Sequence, residues 1–226
     1  MGKLELLNEK NDVEIKSIND EAFKTYGRVL KGYDFSDAIS YMEKYTDIPA
    51  EGNVYLRTDP KLEGLKIKAD LEARFYGGKP CQIGYCNGRN TTYNGFEFHK
   101  CSEINVACTD MLMVLGHRWD IVDKHYKNED AEVFFVEKGT AFEMYQTTLH
   151  LSPCRVTDEG FKAIVVLSLD TNTPLNQAEK LVSIDDEESA LLLQRNKWVI
   201  AHPDREPLIK QGAFAGIIGE NKELYY

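Results

Sequence analysis

No run in this chain is long and apolar enough to cross a bilayer. The opening Met1-Gly-Lys-Leu-Glu-Leu-Leu7 has no apolar stretch of the length a secretory leader needs. The expected location is therefore the cytoplasm. Cationic excess is missing as well. Lys and Arg number 27 against 37 Asp and Glu, a net charge of −10, which disfavours nucleic acid and anionic membrane as partners. No segment resembles a DNA-binding element. Cysteine lacks a framework: there are five, and Cys81, Cys86, Cys101 and Cys108 crowd one segment at spacings that match no zinc knuckle. Reduced cytosolic thiols follow, and Cys101 reads as a packing residue rather than a reactive thiol. There is no internal repeat and no low-complexity segment. The acidic run Asp185-Asp-Glu-Glu188 reads as a solvated helix start.

What the chain does contain is short strands punctuated by turn residues. Val13–Ile18 alternates and predicts a strand. Phe35, Ile39 and Met42 recur at helical spacing, with Asp34 or Ser36 as cap and Pro49 beyond the end. Strands are expected at Val54–Arg57, Cys81–Tyr85, from Phe96, at Met111–Leu115, Ala131–Val136, Thr140–Tyr145, Phe161–Leu167 and Lys197–Ile200. Asn87-Gly88 and Asn94-Gly95 are turn signatures between them. Lys66–Arg74 is open between helix and strand, and helices are expected at Glu187–Arg195 and Glu206–Gln211. Turns every ten or so residues indicate a sandwich or barrel. One domain over residues 1–226 is expected, with an arm to 55, a barrel core from 56 to 175 and an extension from 176.

Chemistry concentrates in two stretches, Gly95-Phe-Glu-Phe-His-Lys-Cys-Ser-Glu103 and Tyr145-Gln-Thr-Thr-Leu-His150. In an extended strand Glu97 and His99 share one face while Phe96 and Phe98 take the other. Glu103 has the same parity, and His150 ends a second strand-like run. Two imidazoles and two carboxylates suit a borderline or moderately hard divalent ion. The plainer alternative is a solvated strand face. Two such stretches in this order favour the metal.

The two stretches resemble the paired motifs of the cupin superfamily. The first motif reads Gly, about five residues, His, any, His, three or four, Glu, then a closing Gly. Here it is matched by Glu97, one residue, His99, three residues, Glu103, with Gly116 closing. The second is matched without gaps by Gly139, five residues, Tyr145, one, Thr147, two, His150, three, Cys154. Glu97 stands where the motif has its first His, and Tyr145, Thr147 and Cys154 replace its Pro, second Gly and Asn. The whole chain also resembles an uncharacterised bacterial cupin-type family of unknown function. More distantly it is similar to ureidoglycolate lyase, through the Glu-any-His segment and through Phe23, Tyr26-Gly27 and Val29.

The resemblance implies a mainly β fold, a cupin-type double-stranded β-helix or jelly-roll barrel with an N-terminal arm and a few short helices. It implies one divalent metal ion (Mn, Fe, Zn or Ni) held by Glu97, His99, Glu103 and His150. Glu97 and Tyr145 are the expected catalytic groups, Tyr145 being preferred to Lys100 because strand parity turns Lys100 away from His99. Glu97 is read first as a ligand and second as a general base. Gln82, Tyr85, Asn87, Arg89 and Arg155 are expected to bind substrate, while His117 and His125 are read as surface residues. Three functions stay open. They are isomerisation or epimerisation of a small sugar or sugar-derived hydroxy acid through an enediolate, a ureidoglycolate-lyase-like lyase or amidohydrolase, and a non-catalytic sugar-binding cupin. The expected partner is a small-molecule substrate, and the expected oligomer is a homodimer to which the Val13–Ile18 strand contributes an edge.

Overall fold

The computed structural model describes residues 2–226. Eight strands build its centre, in chain order Cys81–Gly88, Gly95–Phe98, Glu103–Ala107, Met111–His117, Glu132–Val136, Ala141–Met144, the pair Thr148–Leu149 and Cys154–Arg155 acting as one, and Phe161–Ser168. In the first sheet the order is first, eighth, third, sixth. In the second it is second, seventh, fourth, fifth. These two interleaved orders are the two Greek keys of a jelly roll. The second and seventh strands meet only at one bridge, Glu97 with His150.

Alternation along the strands sorts the side chains into three apolar layers. Met113, Leu115, Phe134, Phe142, Met144 and Phe161 fill the space between the sheets. Phe96, Phe98, Leu112, Val114 and Phe135 pack on the outside of the second sheet, together with Leu7 and Leu224 from the two ends of the chain. Ile83, Ile104, Val106 and Ile164 pack on the outside of the first sheet, where Ala38, Met42, Leu62 and Leu71 cover them. A strand buried on both faces has no polar face to show. That is why Met111–Leu115 is wholly apolar.

The helix Ser36–Tyr45 forms where its periodicity predicts it. Asp34 Oδ1 accepts from Ser36 N at 3.0 Å, and the Lys162 ammonium donates to the last-turn carbonyls of Met42 at 2.9 Å and Glu43 at 3.3 Å. Residues from Lys66 to Phe75 are helical, which resolves the open choice there. The arm strand Ile15–Ser17 pairs in parallel with Glu132–Val136 of the same chain. The edge it covers is therefore the chain's own.

Two expectations are corrected. Glu187–Arg195 is not a helix: one 3-10 turn, Ser189–Leu191, gives way to the strand Leu192–Gln194, because Leu191 is buried under the second sheet and Leu192 pairs with Trp198. Gly116 does not close a strand pair. It lies inside Met111–His117, where a Cβ would stand 2.3 Å from the Tyr126 hydroxyl. Beyond 176, Lys197–Ala201 pairs with Gly95–Phe98 over four residues and adds to the wall of the second sheet. Among the described residues no helix is long and apolar enough to cross a membrane.

Gly27 sits at the edge of the first sheet opposite Met144, and a Cβ there would come 1.8 Å from the backbone oxygen of Glu143. Backbone cannot swing aside as a side chain tip can. Gly27→Ala is expected to cost about 1–3 kcal/mol, in the range of overpacking. A urea midpoint equal to wild type would contradict this close packing.

Candidate metal centre

The period-two rule puts Glu97 and His99 opposite Phe96 and Phe98, and the structure obeys it. The two rings lie in the outer apolar layer, while Glu97 and His99 face between the sheets. Glu103 begins the facing strand of the first sheet, and His150 follows Thr148–Leu149. Glu97 and His150 are hydrogen-bonded through their backbones, Glu97 N to His150 O at 2.6 Å and His150 N to Glu97 O at 3.0 Å. One ligand atom from each of Glu97, His99, Glu103 and His150 lies within 4.8 Å of the others. His99, Glu103 and His150 are buried, and Glu97 is at the boundary with 9% exposure.

Each of the four is held from behind. His99 Nδ1–H donates to the Asn196 carbonyl at 2.6 Å, which fixes the tautomer and turns Nε2 into the cluster. His150 Nδ1 lies 3.2 Å from Thr148 O, and Asn105 Nδ2 donates to Glu103 Oε1 at 2.6 Å. Lys197 forms an ion pair with Glu97 Oε2. The strand register places Lys197 directly across from His99, on the same face. His99 Nε2 stands 3.3 Å from Glu103 Oε2 and 3.6 Å from Glu97 Oε1, and His150 Nε2 stands 3.1 Å from Glu103 Oε2.

Electrostatics follow from this crowding. Burial alone would push the Glu97 carboxyl up, but Lys197, then His99 and His150, bring it down to about 2. Glu103 is lowered against the same penalty by His150 and His99. Burial would push His99 down, yet the Glu103 and Glu97 carboxylates beside it raise it to about 10. Two buried carboxylates facing two imidazoles make a centre where a positive charge is favoured.

The donor set fits a divalent ion. His99 Nε2 is buried, faces two carboxylates and among the described residues makes no hydrogen bond, an opening that a bound cation would fill. Ligands about 2.1 Å from one ion sit about 3 Å apart when adjacent, comparable with the separations of 3.1, 3.3 and 3.6 Å here. Beside the cluster opens a cavity of about 190 Å³. Glu97, Glu103 and Lys197 line it, with Tyr55, Cys86, Asn105, Asn172 and Arg205, and with Leu151, Pro153, Val165 and Leu208 as apolar wall.

The other expected residues are not brought to this cavity. Tyr145 follows Met144, the residue paired with Glu103, and donates its backbone N–H to Tyr26 O, but its side chain is not among those lining the cavity. Lys100 points outward to Glu188 and the Trp198 ring, as parity required. Tyr85 and Asn87 share the outward parity of Ile83. Tyr85 packs among the helices, and Asn87 Nδ2 donates to Thr46 Oγ1 and Asp47 O. Gln82 has inward parity and lies at Glu103's end of the first sheet, since Ile83 and Ile104 both pair with Val166, but its amide is taken up by Arg57 and Thr171 O and it does not line the cavity. Arg89 donates to the Pro49 and Asp158 carbonyls, and Arg155 stacks on Tyr226. Gln82 and Asn87 are buried, and the partners named here satisfy their amides.

Cys101 Sγ accepts from Ser168 Oγ at 3.2 Å and Asn196 Nδ2 at 3.3 Å, so it is packed among polar groups. His117 is not a free surface group. It stacks between Tyr26 at 4.0 Å and Trp119 at 4.2 Å. His125 is half-buried beside the Phe214 ring.

Sequence reasoning missed Lys197, Arg205 and Tyr55. Lys197 had a signal: it is a lone cation opening an apolar strand, Trp-Val-Ile-Ala, with inward parity.

The strand order and the cluster at the end of the apolar interior define a cupin-type jelly roll with a two-histidine, two-carboxylate centre. The chain belongs to the family described as "Domain of unknown function (DUF4867)", which matches residues 15–222. No curated protein matches the sequence. Among solved structures it is similar to a variant of Bacillus subtilis oxalate decarboxylase, at 14% identity over 57% of this chain and 31% of that one, TM-score 0.33. It is also similar to a variant of salicylate 1,2-dioxygenase from Pseudoaminobacter salicylatoxidans, at 12% identity over 60% and 32%, TM-score 0.31. The chain spans about a third of the length of these structures.

His99→Ala and His150→Ala are each expected to reduce bound divalent metal from near one ion per chain to near none in a folded protein. Mass spectrometry on protein purified without chelator reads this. Unchanged metal in either variant would exclude the cluster as the binding site.

Proposed function

We propose that this protein is a metal-dependent enzyme that moves a proton on a small sugar or sugar-derived hydroxy acid, as an isomerase or epimerase. The observation that carries the reading is the buried His99 Nε2, held toward Glu97 and Glu103 with no hydrogen-bond partner, at the edge of a cavity. Glu97, His99, Glu103 and His150 would hold the ion, and Mn, Fe, Zn or Ni each suits this set. A divalent ion bound there supplies a Lewis acid facing the cavity.

The chain's own groups divide the remaining work. Asn196, Asn105 and Lys197 keep His99, Glu103 and Glu97 oriented, so the centre is preorganised rather than assembled by substrate. Leu151, Pro153, Val165 and Leu208 keep the cavity wall dry, which strengthens every charge interaction inside it. Glu97, with its carboxyl held at about 2, is a weak base and is better suited to a ligand's role. Lys197 is the group we assign to proton transfer. It lines the cavity, its side chain is 16% exposed, and its ammonium is paired with Glu97. In its neutral amine form Lys197 takes the proton from the carbon next to a carbonyl, and the ammonium so formed gives it back. Returning it to the opposite face of that carbon epimerises the compound, and returning it to the neighbouring carbon exchanges aldose and ketose.

Such an enzyme washes solvent hydrogen into its substrate. Proton NMR in D2O across aldoses, ketoses and sugar acids, with metal-loaded protein, is expected to show exchange next to the carbonyl for at least one compound. Lys197→Met should keep its metal and lower that exchange by about two to four orders of magnitude. No exchange across the panel by folded, metal-loaded wild type would defeat the isomerase reading, and an unimpaired Lys197→Met would remove Lys197 from the chemistry.

A further inference from the structure

The cavity beside the centre holds two cations with different situations. Lys197 is committed to Glu97. Arg205 lines the same cavity, and among the described residues its guanidinium has no hydrogen bond or ion pair. Its acidic neighbours are engaged elsewhere: Asp204 lies 3.5 Å from His202, and Glu206 is paired with Lys210. The backbone of Arg205 is fixed, its N–H donating to His202 O at 2.8 Å and its carbonyl accepting from Leu208 N at 3.0 Å. In a chain of net charge −10, an arginine at a cavity rim finding no carboxylate is unusual company. Five donors in a planar fork are left facing a space that a ligand can enter. Across the same cavity Asn172 holds the Tyr55 hydroxyl at 2.8 Å, while its own amide oxygen has no hydrogen-bond partner.

We propose that Arg205 is the carboxylate-binding residue of the site, so that the substrate is a small hydroxy acid or sugar acid rather than a neutral sugar. This rests on the reading of the cluster as a metal-dependent active site and narrows its substrate class. The acid enters with its carboxylate on the Arg205 fork and its hydroxyl-bearing carbons toward Glu97 and Glu103. A neutral sugar of the same length leaves the guanidinium facing the cavity unmatched, so discrimination comes from one charge-assisted pair. Arg205 touches the substrate but not the reacting carbons. Its loss is therefore expected to weaken binding more than to slow the chemistry.

The test uses pairs that differ only in the acid group, D-gluconate with D-glucitol and D-glycerate with glycerol, titrated calorimetrically into manganese-loaded protein. Wild type is expected to bind at least one acid about tenfold or more tightly than its polyol. Arg205→Gln is expected to weaken that acid about ten- to a hundredfold, the worth of a hydrogen bond to a charged group. Its affinity for the polyol, its metal content and its melting temperature should stay unchanged, and Arg205→Lys should recover part of the loss. Equal binding of acid and polyol, no binding of either acid at millimolar concentration, or an Arg205→Gln variant that binds the acid as wild type does would each overturn the proposal. Metal content of the same samples separates the two readings. Wild type that holds no manganese yet prefers the acid through Arg205 retires the metal reading and keeps this one. Wild type that holds manganese and does not discriminate does the reverse.

Discussion

Two backbone hydrogen bonds between Glu97 and His150 hold the centre of this molecule together. They are the one ladder step that joins the Gly95–Phe98 strand to the seventh strand, and so the step that continues the second sheet to Lys197–Ala201. The same two residues supply two of the four groups in the cluster. Closing the sheet and building the centre are therefore one event. A register slip of a single residue here would turn Glu97 and His99 outward and bring Phe96 and Phe98 into the cavity.

Burying two carboxylates is costly unless each finds an opposite charge. The fold meets this with Lys197 on one side and with the two imidazoles on the other. The arrangement suits a cation at its middle, and a metal ion bound there would compete with a proton for His99, which would tie metal affinity to pH. The supporting groups come from distant parts of the chain. Asn196 and Lys197 arrive from the C-terminal region, and Tyr55 arrives from an outer strand of the first sheet. A barrel core without those segments would carry the four residues of the cluster but neither their orientation nor the cavity's cations.

The apolar layers explain why the cavity sits where it does. Aromatic and methionine side chains fill the space between the sheets at one end, from Met113 to Phe161. The first sheet's inward residues change from Ala107 to Asn105 and Glu103 along a single strand, which marks the passage from packed core to open cavity. The surface of the chain is acidic overall, while the cavity holds Lys197 and Arg205. Glu97 and Glu103 match these two cations in formal charge, and among the described residues Arg205 is the one of the four left without a hydrogen bond or ion pair.

The sequence by itself determined the strand content, the parity of Glu97 and His99, and the pairing of the two stretches that carry the cluster. These are local properties: alternation with period two and spacing within a motif follow from backbone geometry alone. It also determined the apolar character of Met111–Leu115 and the helix from Ser36. Only the tertiary structure decided which polar residues face the cavity. Gln82, Tyr85, Asn87 and Arg89 precede the motif strand in sequence, but sheet order carries that strand's polar ends to Thr171, Thr46 and Pro49 instead. Lys197 and Arg205 lie about a hundred residues from Glu97, and no local pattern connects them. Pairing of Lys197–Ala201 with Gly95–Phe98 does so, because an unpaired strand edge is satisfied by hydrogen bonds from whichever segment the fold delivers to it.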